Sequence, residues 1–117
     1  MIRSEAKLLR IFVGEADKFG HRALYEEIVL AARKAGLAGA TVWRGIMSFG
    51  PTSVIHTARL LDLSGDLPIV IEIVDEEEKI DAFLPRLDEL FEHSGGGGLV
   101  TIEKATVLRY RSGRKRK

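Results

Sequence analysis

The chain has 117 residues, of which 45% are hydrophobic and 30% charged, and this suits one globular domain with a single core. It contains no cysteine, which excludes disulfides, thiolate nucleophiles and cysteine-ligated metal sites. No apolar run reaches the roughly 18 residues that span a bilayer, and the first ten residues lack the apolar stretch of a signal peptide, so we expect a cytoplasmic protein.

Charge is distributed unevenly along the chain. The net charge is +1, but residues 109–117 hold six of the 18 lysines and arginines and no acid. Residues 1–108 therefore have 12 basic and 17 acidic side chains, a net charge of −5. A basic end can bind nucleic acid or phosphates, but the acidic body argues against nucleic acid as a partner. We expect one domain over residues 1–112 and a flexible basic tail over 113–117.

The first half of the chain predicts a strand, a helix and a second strand. Residues 7–15 are apolar and rich in branched side chains, which is typical of a strand. Apolar residues recur at helical spacing over 24–35, and Gly36 suits the helix C-terminus. Residues 39–49 predict the second strand because they include a run of high strand propensity. Residues 50–66 are a connection to which the pattern assigns no structure.

The second half repeats this order. Residues 67–75 are the clearest strand in the chain, and apolar residues between 80 and 91 form a strong helical stripe. Asp75 is predicted to be the N-cap of this helix. Pro85 lies inside the stripe and is expected to kink the helix, because proline lacks the amide that the helix needs.

A run of four glycines separates this helix from a fourth strand, predicted over residues 99–110. The resulting order βαββαβ favours an α+β, ferredoxin-like sandwich. Two helices would cover one face of a four-stranded antiparallel sheet in the spatial order 4-1-3-2.

Both faces of the central strands are apolar, and this bears on assembly. One face carries Leu9, Ile11, Val13, Ile69, Ile71 and Ile73; the other carries Leu8, Phe12, Val70 and Val74, with Arg10 and Glu72 between them. The first face should pack on the helices. A sheet face open to water is normally polar, and a large apolar patch marks an interface. We therefore predict an oligomer in which Arg10 and Glu72 pair on the second face.

No catalytic or metal-binding constellation stands out in the sequence. His21, His56 and His93 are far apart and have no metal-ligand spacing, and no serine has the context of a nucleophile. We therefore expect no enzyme activity and no metal site.

The glycine run and two arginines suggest an anion site. A glycine loop exposes backbone N–H groups that can hold phosphate oxygens, and Arg109 and Arg111 follow at the end of the next strand. Arginines there would add charge-assisted hydrogen bonds. A plain flexible linker is the alternative interpretation of the glycines, and the run is not a Walker motif.

Several motifs resemble those of the PII nitrogen-regulatory signalling proteins. They are residues 39–42 (Gly-Ala-Thr-Val), 49–50 (Phe-Gly), 67–68 (Leu-Pro), 71–74 (Ile-Glu-Ile-Val) and 109–113 (Arg-Tyr-Arg-Ser-Gly). More closely, residues 7 to about 108 resemble the DUF190 family of PII-like bacterial and archaeal proteins. The matching segments are residues 37–42, 44–46, 49–50, 55–57 and 83–85. Pro85 then belongs to the family pattern.

The resemblance implies a PII-like homotrimer that binds an adenine nucleotide (ATP, ADP or AMP) in clefts between subunits and contacts a target through the loop after strand two. It places the ligand near Gly45 and Gly50, with Arg109 and Arg111 closing the cleft. The glycine loop that completes the site is Gly95, Gly96, Gly97 and Gly98. Members of the family occur fused or adjacent to fluoride-channel-like membrane proteins, which makes a membrane channel or transporter an expected regulatory partner.

This sequence departs from the PII pattern at the phosphate end of the expected site. The lysine of the PII glycine loop corresponds to Gly98, and residues 50–53 replace a Gly-Arg-Gln-Lys segment that holds nucleotide. We therefore predict a non-enzymatic, PII-like trimeric regulatory protein that binds a nucleotide or similar anion weakly. The alternative is a metal- or anion-responsive trimer resembling the divalent-ion-tolerance proteins.

Overall fold

The computed structural model describes residues 3–50, 56–57 and 66–113. The elements, in chain order, are β1 (Ser4–Gly14), β2 (Lys18–Phe19), β3 (Arg22–Ala23), α1 (Leu24–Lys34), β4 (Thr41–Arg44), β5 (Met47–Ser48), β6 (His56–Thr57), β7 (Pro68–Asp75), α2 (Glu77–Ser94) and β8 (Leu99–Val107). Four of these strands form one antiparallel sheet in the order β4-β7-β1-β8. Read from β8, this is the predicted order 4-1-3-2, so the ferredoxin-like prediction is confirmed. The predicted tail lies largely outside the described residues.

The core lies between the sheet and the two helices. The predicted alternation is confirmed, because the helix-facing residues of β1 and β7 are buried while their neighbours in sequence are more exposed. The core consists of Leu9, Ile11, Val13, Leu24, Ile28, Ala32, Leu37, Ile69, Ile71, Ile73, Ile80, Phe83, Leu87, Leu90 and Phe91. A contiguous cluster of this size supplies the hydrophobic stabilisation of the fold.

The second predicted strand is shorter than expected. Over residues 39–49 the sequence predicts one strand, but β4 ends at Arg44 and β5 pairs with β6 in a separate ribbon. The break occurs at Gly45, whose N–H donates a 2.7 Å hydrogen bond to the carbonyl of Pro68. A Cβ at position 45 would lie 2.5 Å from Cγ of Pro68, so this approach requires glycine.

The second helix begins one residue later than the Asp75 cap implies. Its N-cap is Glu76, which makes no side-chain capping hydrogen bond. Asp75 stays in β7, paired with Lys7 of β1, and its carboxylate accepts the backbone N–H groups of Ala38 and Glu76. The helix then continues through Pro85 to Ser94 as one element.

The glycine run forms a defined turn. Gly95, Gly96 and Gly98 have φ angles of 116°, 84° and 145°, which side chains other than glycine rarely adopt. The N–H of Gly96 donates to the carbonyl of Phe91 at 2.7 Å, closing the C-terminus of α2. At position 98 a Cβ would lie 2.4 Å from the Phe91 ring and 3.0 Å from the carbonyl of Phe12. The lysine of the PII loop therefore has no room here.

Replacing Gly98 by alanine should destabilise the fold. We expect Gly98→Ala to lower the free energy of unfolding by about 1–3 kcal/mol, because it forces a strained φ and a clash. The matched control is Gly97→Ala, because a Cβ at position 97 would have no atom within 4 Å. This variant should change the free energy of unfolding by less than about 0.5 kcal/mol. Urea unfolding at equal chain concentration measures both. Equal changes in the free energy of unfolding for the two variants would contradict the requirement for glycine at position 98.

Candidate functional site

A cleft of about 1400 Å³ opens at the end of the sheet where β1 begins and β7 and β8 end. Its floor is mostly apolar and includes Ala6, Leu8, Val74 and Val107. One wall is the loop of residues 38–41, which leads into β4. An apolar floor with polar groups at the rim is the usual form of a small-molecule site.

Asp75 fixes the loop wall of the cleft. Its Oδ2 accepts a hydrogen bond from the backbone N–H of Ala38 at 2.9 Å. Its Oδ1 accepts one from the N–H of Glu76 at 2.7 Å, at the start of α2. One carboxylate therefore ties the 38–41 loop to the end of β7, just before α2, and holds the loop backbone at the rim.

The opposite wall is the segment after β8, residues 108–113, which we call the C-terminal strap. The strand was predicted to reach Tyr110 but ends at Val107, so the alternation of a strand does not orient the strap. Instead, the phenolic O–H of Tyr110 donates a 2.8 Å hydrogen bond to the carbonyl of Ala38. Arg109 and Arg111 flank this tyrosine, are exposed and line the cleft.

The predicted site residues fall into two groups within one chain. Arg109 and Arg111 line the cleft, but the glycine loop lies at the other end of β8, beside Phe12. A nine-residue strand separates these two groups by roughly 30 Å. Gly45 and Gly50 lie beyond the far end of β4, on the side of the glycine loop. A single chain therefore does not bring the whole predicted set together.

Several cleft residues were not predicted as site residues. They are Ala38, Gly39, Ala40, Thr41, Glu72, Val74 and Tyr110. Residues 39–42 and 71–74 were among the motifs that carried the family resemblance, so a signal for most of this wall was present. Tyr110 lies in the 109–113 motif, but its hydrogen bond could not be predicted, because the bond spans 72 positions of the sequence.

A hydrogen-bonded ladder crosses the second face of the sheet, and one of its inner members borders the cleft. The guanidinium of Arg10 donates to Glu72 at 2.9 Å and to Glu103 at 2.8 Å, which confirms the predicted Arg10–Glu72 pair. The indole N–H of Trp43 donates to the other oxygen of Glu72 at 2.8 Å. Each of the four sheet strands contributes one side chain, and Glu72 also lines the cleft.

The ladder shifts the titration of its central groups. The hydrogen bond from Arg10 lowers the pKa of Glu72 below its usual value, and the hydrogen bond from Trp43 lowers it further, while partial burial acts in the opposite direction. The hydrogen bond to Glu72 raises the pKa of Arg10. Both groups are therefore charged at neutral pH, which is the state that the ladder stabilises.

Apolar side chains around the ladder remain open. Val74 is 41% exposed, Trp43 56% and Leu99 56%, while Leu8 and Phe12 are half-buried. These residues lie on the face that the helices do not cover. The predicted apolar second face is therefore present, and an exposed apolar area of this kind is typical of an interface.

The histidines do not gather into a centre in the described part of the chain. His93 packs against Phe19 with ring centroids 4.3 Å apart, and His21 is exposed in the turn between β2 and β3. Within residues 3–50, 56–57 and 66–113 there is no group of three or more histidine and acidic side chains placed to hold a metal ion. Neither described helix is long and apolar enough to cross a membrane.

Comparison with known families places these features in context. The model of the DUF190 family, described as an uncharacterized ACR, matches residues 6–107. A UPF0166 protein of Aquifex aeolicus is 41% identical over 102 residues, which cover 87% of this chain and 92% of that protein. A UPF0166 protein of Methanocaldococcus jannaschii is 38% identical over 91 residues, covering 78% and 83% of the two chains.

Solved structures share the fold. CPII from Thiomonas intermedia K12, a nitrogen regulatory PII-like protein bound to ADP, AMP and bicarbonate, matches with a TM-score of 0.70 and 22% identity over 92% of each chain. At this identity the likeness establishes the fold alone. The ferredoxin-like, PII-like architecture predicted from the sequence is therefore confirmed.

The lowered pKa of Glu72 predicts a pH-dependent stability. A carboxylate whose pKa is lower in the folded chain stabilises the fold above its unfolded pKa, about 4.3 for glutamate, and loses this effect as the pH falls through the folded value. The melting temperature of the wild type should exceed that of Glu72→Gln at pH 7, and the difference should shrink below about pH 4.3. Glu92→Gln removes an exposed carboxylate as the control. If the melting temperatures of the wild type and Glu72→Gln differed as much at pH 3.5 as at pH 7, the stabilising role of the Glu72 carboxylate would be contradicted.

Proposed function

Because the chain belongs to the DUF190 family, we propose that it is a non-enzymatic, PII-like regulatory protein whose cleft binds an adenine nucleotide or a similar anion. The main support is the joining, in one cleft, of an apolar floor, a fixed backbone rim and two exposed arginines. CPII, which shares the fold, is bound to ADP and AMP.

The cleft has a base end and a phosphate end. A planar adenine ring can lie on the apolar floor beside Leu8 and Val74, next to the peptide groups of Gly39 and Ala40. Phosphates would then reach the C-terminal strap, where guanidinium groups can form paired charge-assisted hydrogen bonds. The acidic body of the chain repels free anions, so these two arginines are the cationic groups on which affinity depends.

A second subunit would complete the site. The cleft, at about 1400 Å³, is larger than the roughly 300–1,000 Å³ of ordinary ligand pockets and has room for a neighbouring surface beside a nucleotide. Six predicted site residues lie at the opposite end of the sheet from this cleft: Gly45, Gly50, Gly95, Gly96, Gly97 and Gly98. We place them against the cleft of the adjacent subunit in a homotrimer, as the resemblance implies, that buries the part of the apolar second face outside the cleft.

The loop after β4 is the proposed contact with a target protein. Ile46, Met47 and Phe49 are 79%, 63% and 69% exposed, at the end of the sheet to which the family resemblance assigns the target. Apolar side chains presented in this way form anchors for a partner. A membrane channel or transporter is the proposed target, on the basis of the family resemblance.

Nucleotide titration tests the ligand assignment. By isothermal titration calorimetry, the wild type should bind ATP, ADP or AMP with a Kd in the micromolar range or weaker. Arg109→Ala should weaken binding at least about tenfold, since a hydrogen bond to a charged group contributes about 1.5–3 kcal/mol. The control is Arg86→Ala, which removes an exposed arginine of α2. No binding at millimolar nucleotide, or equal affinity of Arg109→Ala, would contradict the assignment.

Light scattering tests the assembly. Three chains of 13.0 kDa give a particle of about 39 kDa. Arg10→Glu should shift this mass downward, because it places a third carboxylate beside Glu72 and Glu103 in the proposed interface. Arg86→Glu makes the same charge reversal on a helix outside that face. A 13.0 kDa wild type at micromolar concentration would rule out the homotrimer.

A further inference from the structure

We infer that Tyr110 is a positioning residue that holds the two arginines of the C-terminal strap at the phosphate end of the cleft. The inference rests on the proposed function and deepens it, because it concerns how this chain sets affinity for the phosphate part of its ligand. The residues that would touch the ligand are Arg109 and Arg111. Tyr110 acts through them.

The strap needs an anchor because it has left the sheet. Strand β8 ends at Val107, and the arginines follow at the second and fourth positions beyond it. Among the described residues, the hydrogen bond from Tyr110 to Ala38 is the one side-chain hydrogen bond that joins the strap to the rest of the chain. Tyr110 as a whole is 73% exposed, so apolar burial contributes little to holding it, and the phenolic O–H is the group that fixes the strap.

The acceptor of this hydrogen bond is itself fixed. Ala38 is bound through its N–H to Asp75, and Asp75 also binds the backbone at the start of α2. The Tyr110 hydroxyl therefore ties the strap to a loop that is held by the end of β7. The strap and the opposite wall of the cleft are joined at a single carbonyl group.

This tie acts on one end of the ligand. A strap held near the cleft presents the guanidinium groups where phosphates arrive, so less conformational freedom is lost when the ligand binds. The apolar floor formed by Leu8 and Val74 does not depend on the strap. Loss of the Tyr110 hydroxyl should therefore weaken the binding of nucleotides. The binding of a nucleoside, which has no phosphate, should not change.

Titration with paired ligands tests the positioning role. We expect Tyr110→Phe, which removes only the hydroxyl, to weaken the affinity for ADP about three- to tenfold in isothermal titration calorimetry. The affinity for adenosine should stay unchanged. Tyr25→Phe, in the half-buried tyrosine of α1, is the matched control and should change neither. Unchanged ADP affinity, or an equal loss for ADP and adenosine, would overturn the role of Tyr110.

Limited proteolysis tests the tie without any ligand. Trypsin cleaves a mobile segment faster than a held one, so mass spectrometry of the ligand-free protein should show cleavage after Arg109 about three- to tenfold faster in Tyr110→Phe than in the wild type or Tyr25→Phe. Equal rates would overturn the tie. Faster cleavage in a protein that binds neither ADP nor adenosine would support the tie and contradict the nucleotide assignment, so the two failures are distinguishable.

Discussion

The carboxylate of Asp75 joins the end of β7 to a loop that is distant in sequence, and the cleft depends on this junction. It lies at the end of the third sheet strand, accepts the N–H of Ala38 and also accepts the N–H of its neighbour Glu76, just before the second helix. Ala38 in turn accepts the hydroxyl of Tyr110, so both walls of the cleft meet at one residue. Since the helix and strand are anchored in the core, this small polar junction transmits the rigidity of the sheet to two otherwise irregular segments.

The face of the sheet that forms the cleft floor also carries a hydrogen-bonded ladder. Trp43, Glu72, Arg10 and Glu103 form a ladder across all four strands, surrounded by apolar side chains that the helices leave uncovered. Paired charges within an apolar face lower the cost of burying it, because each charge already has partners. Glu72 belongs to both the ladder and the cleft. Assembly and ligand binding would therefore share a side chain in the proposed trimer.

The sequence predicted what depends on local periodicity and missed what depends on contacts between distant residues. Alternating branched residues predicted the strands, the βαββαβ succession of elements predicted their order in the sheet, and the matching positions of Arg10 and Glu72 on neighbouring strands predicted their pair. The end of β4 was missed because it depends on how closely Gly45 approaches Pro68. The start of α2 was misplaced because the carboxylate of Asp75 binds a residue 37 positions earlier.

A crystal structure of the protein with ADP would show whether two subunits together form a nucleotide site at the end of the sheet. We expect the adenine ring on the floor formed by Leu8 and Val74, and the phosphates at Arg109 and Arg111 of that subunit. We also expect the turn of residues 95–98 of a neighbouring subunit against the same nucleotide. ADP bound entirely within one chain, or at a surface remote from this cleft, would rule out a shared site.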